Sequence, residues 1–380
     1  MRYIMTNKEI AELRRRLRAD RHNITKIYGC YVGEKGEIIA ELEQSLGLMP
    51  QDEAEKYLTI LKRTLSGPQH KNLIDITFRT SQVADSEEHR LLMGLRESGL
   101  KDTTMRKKLW ETIIPTIHMD SNFVILLAND VYDVPYRAKD DASLEDGQDV
   151  FSYILCAVCP VKLTKTVLHY VASEAEFHNR ATDFVVSPPE LGFLFPAFDT
   201  RRANIYNALF YTHNIKETNK EFVDAVFRTE PPMPAAVQKE TFQSLLADSL
   251  EEECSYELVQ AVHDDLCERM EAHKESRDPD PLLISRETVQ DVLEARGVSE
   301  ERLAAFHVRF DNEFGTESDL SPQNLINTKQ MEVRTPDVVI KVNPERKDLV
   351  ETRMIGGRPY ILISAEEGVE LNGVSISITE

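Results

Sequence analysis

Phe123-Val124-Ile125-Leu126-Leu127-Ala128 and Phe151-Ser152-Tyr153-Ile154-Leu155-Cys156-Ala157-Val158 are runs in which almost every side chain is apolar. A strand with one solvated face alternates apolar and polar residues, whereas a strand buried on both faces reads as a continuous apolar run. Both runs have strand length rather than helix length, so they are predicted as central strands of a sheet covered on each side. Working outward, Leu73-Ile74-Asp75-Ile76-Thr77-Phe78 reads as a further strand. Residues 24–32 and 37–40 read as a hairpin around Gly33-Glu34-Lys35-Gly36, and 191–198 and 204–212 as more strands. Helices are predicted at 51–66, stopped by Gly67-Pro68, and at 86–98 and 102–114, the last carrying Trp110 as a core residue. Thr6-Asn7-Lys8-Glu9 has the spacing of a capping box, and Ile10, Leu13 and Leu17 then share a helical face.

The pattern changes after His213. From about 216 to 315 the chain reads as helices with acidic faces, divided by Pro231-Pro232-Met233-Pro234 and Asp278-Pro279-Asp280-Pro281. Near 330 it changes again, to short strands around Gly356-Gly357 and Asn372-Gly373, both hairpin turn signals. The fold class is therefore α+β. It comprises a mixed α/β sheet domain at 1–215, an acidic helical region at 216–328 and a small antiparallel β module at 329–380. A module of that size holds little core of its own. Val374, Ile376 and Ile378, which share a strand face, are accordingly expected to pack under the helical region.

With 380 residues, 41% hydrophobic and 29% charged, the chain is that of a folded multi-domain protein. Its 65 acidic against 45 basic residues give a net charge of −20, the wrong sign for a general nucleic-acid coat, which must displace counterions with cations. The N-terminus turns polar at once, and no window approaches the roughly 18 apolar residues of a membrane span, so no membrane partner is expected. Five scattered cysteines do not form a disulfide framework. The expected compartment is the reducing cytoplasm.

One stretch has chemical spacing: Cys156-Ala157-Val158-Cys159-Pro160. Two thiols three residues apart can begin a Zn²⁺ site or a redox pair. Zinc needs two further ligands, and Cys30, His169 and His178 offer the chemistry without supporting spacing. On a strand, positions i and i+3 point to opposite faces, so two buried core cysteines are the favoured reading and no cofactor is expected. A second group is Asn129-Asp130-Val131-Tyr132-Asp133, followed by Asp140, Asp141, Glu145, Asp146 and Asp149. Carboxylates at the exit of a buried strand are where α/β enzymes hold Mg²⁺, so Asp130 and Asp133 are the candidate catalytic residues. A solvated acidic loop accounts for the same residues. Arg201 and Arg202 are candidate anion holders for such an enzyme, or else partners of surface acids. Arg14, Arg15, Arg16, Arg18 and Arg21 form a local basic segment, the one place where nucleic acid is a conceivable partner; internal pairing is the simpler account. No phosphate-binding glycine loop, HExxH, GxSxG or kinase signature is present.

Gly29-Cys30-Tyr31-Val32, Tyr153 to Val161, Phe195-Pro196-Ala197-Phe198 and Asp348-Leu349-Val350-Glu351-Thr352-Arg353 resemble segments of the domain-of-unknown-function family numbered 4317. The likeness runs nearly end to end. It implies a cytoplasmic protein of Gram-positive anaerobic bacteria and carries no catalytic residue over. Two functional classes therefore stand side by side. One is a non-enzymatic regulatory or interaction protein with an unknown protein partner. The other is a metal-dependent hydrolase or phosphoester-acting enzyme built on Asp130 and Asp133.

Overall fold

Both apolar runs form strands, and both outgrow their apolar stretch: Phe123–Val134 and Asp149–Leu163 pair antiparallel, from Phe123 opposite Pro160 to Val134 opposite Asp149. The structure, a computed structural model, describes residues 5–135, 149–164, 167–180, 183–217, 219–276, 278, 280–316, 320–328, 330–366, 368–371 and 373–377. Asp140, Asp141, Glu145 and Asp146 lie outside the described residues, as do Asn372 and Ile378. In chain order the elements before residue 237 begin α1 (Asn7–Arg16), β1 (Lys26–Val32), β2 (Ile38–Ser45), α2 (Gln51–Arg63) and β3 (Leu73–Thr77). Then come α3 (Thr80–Asp85), α4 (Glu87–Glu97), α5 (Thr103–Ile113), β4 (Phe123–Val134) and β5 (Asp149–Leu163). β6 (Val167–Val171), β7 (Glu176–Arg180), β8 (Phe184–Val186), β9 (Leu191–Phe195), β10 (Ala197–Asp199), β11 (Arg202–Asn204), β12 (Asn207–Thr212) and α6 (Lys220–Phe227) complete the series.

One antiparallel sheet organises this part, in the order β2-β1-β4-β5-β9-β12-β3, with β8 paired to the far end of β5. Successive residues of β4 and β5 supply opposite cores. Ile125, Leu127, Ile154, Cys156 and Val158 meet Leu95, Leu109, Trp110, Phe222 and Phe227 from α4, α5 and α6. Val124, Leu126, Leu155, Ala157 and Cys159 meet Ile10, Leu13, Leu58 and Leu61 from α1 and α2. The result is a helix–sheet–helix sandwich, as a doubly buried strand pair requires. β5 runs on through Pro160, which sits opposite the first residue of β4, where a missing N–H costs little. The chain divides into two compact units between Val237 and Gln238, and α6 contributes Phe222, Val223, Val226 and Phe227 to the first.

The second unit holds most of α7 (Ala235–Leu250), then α8 (Tyr256–Ser276), α9 (Arg286–Ala295), α10 (Glu300–Phe314) and α11 (Pro322–Leu325), around a core that includes Phe242, Leu266, Leu293 and Phe306. Three hairpins follow: β13 (Met331–Arg334) with β14 (Val339–Val342), β15 (Val350–Ile355) with β16 (Arg358–Ile363), and β17 (Val369–Leu371) with β18 (Val374–Ile376). α8 meets this tail through polar contacts: Asp264 pairs with Lys347, and Thr352 Oγ1 lies 3.4 Å from Glu257. The expectation that Val374 and Ile376 pack under the helical region is corrected by their exposure. Among the described residues each hairpin pairs only within itself, and Val374 and Ile376 are 64% and 43% exposed. Strands of three residues satisfy their backbone across one tight turn but carry too little apolar area to hold a helix against them.

Gly192, on β9, lies where two layers press together. A methyl group there would stand 2.4 Å from the Cys156 carbonyl oxygen and 2.7 Å from Thr64 Cγ2. Gly192→Ala is expected to destabilise the protein by about 1–3 kcal/mol, seen as a lower urea midpoint at unchanged slope. Ile376→Asp, on an exposed strand, is expected to change stability by no more than about 0.5 kcal/mol in the same measurement.

Candidate functional site

The capping box sets the start of α1: Glu9 N–H donates to Thr6 Oγ1 at 3.3 Å, and Thr6 N–H to Glu9 Oε2 at 2.8 Å. From that start, Glu9, Glu12 and Arg16 fall at helical spacing on the side facing the sheet. Arg16 reaches Asp130 on β4, with Nε and Nη2 each 3.1 Å from Oδ2 and Nη2 3.3 Å from Oδ1. Asn23 N–H donates to Oδ1 at 2.7 Å and the Tyr153 hydroxyl to Oδ2 at 2.8 Å. Asp130 is 1% exposed, so its charge is out of water and is met by three donor groups. Burial, reinforced by the Asp130 charge, holds the Tyr153 hydroxyl well above its ordinary pKa, so it remains a proton donor.

The network continues outward. The Arg16 guanidinium lies 4.2 Å from the centroid of the Tyr132 ring, and the Tyr132 hydroxyl donates to Glu12 at 2.5 Å. Glu12 also accepts two bonds from Arg201 Nη1, at 2.9 and 2.7 Å. Arg201 Nη2 donates to the Pro135 carbonyl, and its backbone N–H to Glu9. Thr200 and Arg201 form the two-residue turn between β10 and β11 with φ of +47° and +62°, a left-handed pair built without glycine. That backbone costs on the order of 1–3 kcal/mol per residue, and the Arg201 contacts to Glu9, Glu12 and Pro135 offset it.

These positions settle how the candidate residues relate. Asp130 and Asp133 lie three apart on β4: Asp130 faces the α1 side, and Asp133 is exposed on the other, opposite Val150. They are not brought together, because the strand period of two separates them. Arg201 turns inward to Glu12, while Arg202 is exposed beside Asp199 in the ladder, so the two arginines do not converge. Cys156 and Cys159 sit in opposite cores of the sheet. Burial raises the Cys159 thiol to about 12 and Cys30 to about 11, with Cys156 higher still. Among the described residues no group of three or more His, Cys, Asp or Glu has metal-holding geometry. Of the five arginines in the basic segment, only Arg16 makes a buried ion pair; Arg18 and Arg21 lie 3.7 and 3.5 Å from exposed Asp20.

A feature that the sequence did not announce adjoins this network. The exit of α1 and the first turns of α2 border an open groove of about 1200 Å³. Leu17, Ile24, Leu46, Ala54 and Leu58, all buried, form its floor. Arg18, His22 and Lys62 stand on its rim with Asp20 and Glu55. Leu48, next to the lining residues Gly47 and Met49, is 89% exposed. Asn23 joins groove to network, since it lines the groove and binds both Asp130 and the Val131 carbonyl. The available signal was Leu46-Gly47-Leu48-Met49-Pro50, an apolar stretch between a strand and a helix that neither element needed.

Arg16→Met leaves a carboxylate buried without its cation, and a loss of about 3–5 kcal/mol is expected by urea unfolding. Asp130→Asn in the same chain removes the stranded charge. The double variant is therefore expected to be more stable than the sum of the single losses, and strict additivity would show that the two side chains are not coupled.

No curated protein and no solved structure matches the chain. A family model described as a domain of unknown function (DUF4317) matches residues 5–374, nearly the whole sequence. By that match the chain belongs to the DUF4317 family.

Proposed function

We propose that the protein is a non-enzymatic interaction protein of the cytoplasm, and that the groove between α1 and α2 receives an acidic, amphipathic segment of a partner protein. The observation that carries this reading is the groove itself: a wide opening floored by apolar side chains, with Arg18 and Lys62 on a rim that also holds Asp20 and Glu55. Of the rim cations, Lys62 makes no side-chain ion pair or hydrogen bond among the described residues, so it is available to a ligand's carboxylate. An apolar floor favours one face of a helix or strand over a phosphate backbone. By contrast, the side chains suited to catalysis are engaged with one another: Asp130 with Arg16 and Tyr153, Glu12 with Arg201 and Tyr132.

Fluorescence anisotropy tests this with a labelled helical peptide of about 18 residues bearing a leucine face and a glutamate face, against its lysine counterpart. The acidic peptide is expected to bind and the basic one not. Arg18→Glu/Lys62→Glu is expected to weaken binding at least about tenfold, equivalent to about 1.4 kcal/mol, without lowering the melting temperature. If a single-stranded oligonucleotide binds instead and the same variant abolishes it, the groove belongs to nucleic acid. Failure of every probe to bind overturns the assignment.

A further inference from the structure

We infer that a second copy of this chain adds to the free edge of β15, forming a continuous four-stranded sheet across a two-fold axis at Thr352. This inference is independent of the groove. β15 and β16 are joined by Gly356-Gly357, with φ of +58° and +76°, so Ile355 and Arg358 form the closing pair of a two-residue turn. Hydrogen-bonded and non-hydrogen-bonded pairs then alternate along the ladder. Ile355, Arg353 and Glu351 bond to β16, and Pro359, which has no N–H to give, falls at a non-bonded position opposite Met354. The N–H and C=O groups of Val350, Thr352 and Met354 consequently point to the other edge. Among the described residues no strand lies there, and none of these groups has a backbone partner. From Glu351 to Ile355 the strand is exposed, with Met354 at 68%.

An open edge by itself accepts any strand. The side chains select a copy of the same one. Glu351 and Arg353 flank Thr352 on one face of β15 and lie 3.0 Å apart in an ion pair. An antiparallel pairing of β15 with itself about Thr352 sets each Glu351 opposite the partner's Arg353 and each Val350 opposite the partner's Met354. The outward backbone groups of both copies then close about six hydrogen bonds. Glu351 and Arg353 meet as a non-hydrogen-bonded pair, the arrangement that brings cross-strand side chains closest. A one-residue slip would move Glu351 and Arg353 to the wrong face of the partner, so the charges fix register as well as identity. The interface is isologous and closes at two copies.

Sedimentation velocity of the full chain from about 1 to about 100 µM is expected to show a monomer–dimer equilibrium. Arg353→Glu and Glu351→Arg each place like charges across the axis, and each is expected to raise the dimer Kd at least about tenfold. Mixed in equal amounts, the two variants are complementary and are expected to form a heterodimer. Glu351→Arg/Arg353→Glu restores self-complementarity and is expected to dimerise as the wild type does. Recovery in the mixture also shows that both single variants are folded. Thr352→Pro, which removes an outward N–H, is expected to be monomeric. A wild-type chain that stays monomeric at about 100 µM overturns the inference, as does a dimer indifferent to both charge reversals.

Discussion

Asp130 is a charge placed where water cannot reach it, and the first unit is arranged around meeting that charge. A buried carboxylate without a cation is untenable. Arg16 must therefore come off α1 at one angle, and Asn23 must return along the sheet to present its backbone N–H. Those two demands fix where α1 ends and how residues 17–24 leave it. They thereby set one wall of the groove. The same chain of contacts passes through Tyr132, Glu12 and Arg201 to the strained turn between β10 and β11. By its distances this arrangement clamps α1 to the sheet.

Period-two patterning made the centre of the fold legible. Phe123 to Ala128 and Phe151 to Val158 are apolar on both faces because helices cover both faces, and the same geometry placed Cys156 and Cys159 back to back. The Thr6–Glu9 box was equally readable, because it involves only residues three apart. Asp130 was not. A carboxylate after an apolar run looks the same whether the strand stops or continues to Val134, and only the distant Arg16 decides whether it is buried. Five arginines in eight residues likewise read as one basic face, although one of them turns inward and the rest do not. β6 to β8 went unread, since their apolar residues Leu168, Tyr170, Phe177 and Phe184 are exposed and mark no core.

Charge is divided unevenly along the chain. Residues 1–237 carry 30 basic and 34 acidic side chains, whereas 238–380 carry 15 and 31. The bulk figure of −20 is thus mainly a property of the helices and hairpins after Gln238, and the sheet unit is close to neutral. This distribution leaves exposed cations on the first unit, such as Arg15 and Arg18, compatible with an acidic whole. Attraction over distances beyond roughly 10 Å is screened at physiological salt, so these cations act only at close range.

The cysteines that invited a metal reading have a different consequence. Cys30, Cys156 and Cys159 are wholly buried within the sheet unit, while Cys254 and Cys267 are partly accessible within the second. Thiols react as thiolates, so the first three are silenced twice, by exclusion of reagent and by loss of the ionised form. Their modification must wait for the sheet to open, whereas that of the other two need not. The sheet unit therefore carries its own clock: the labelling rates of Cys30, Cys156 and Cys159 time the opening of the sheet, while Cys254 and Cys267 react without waiting for it.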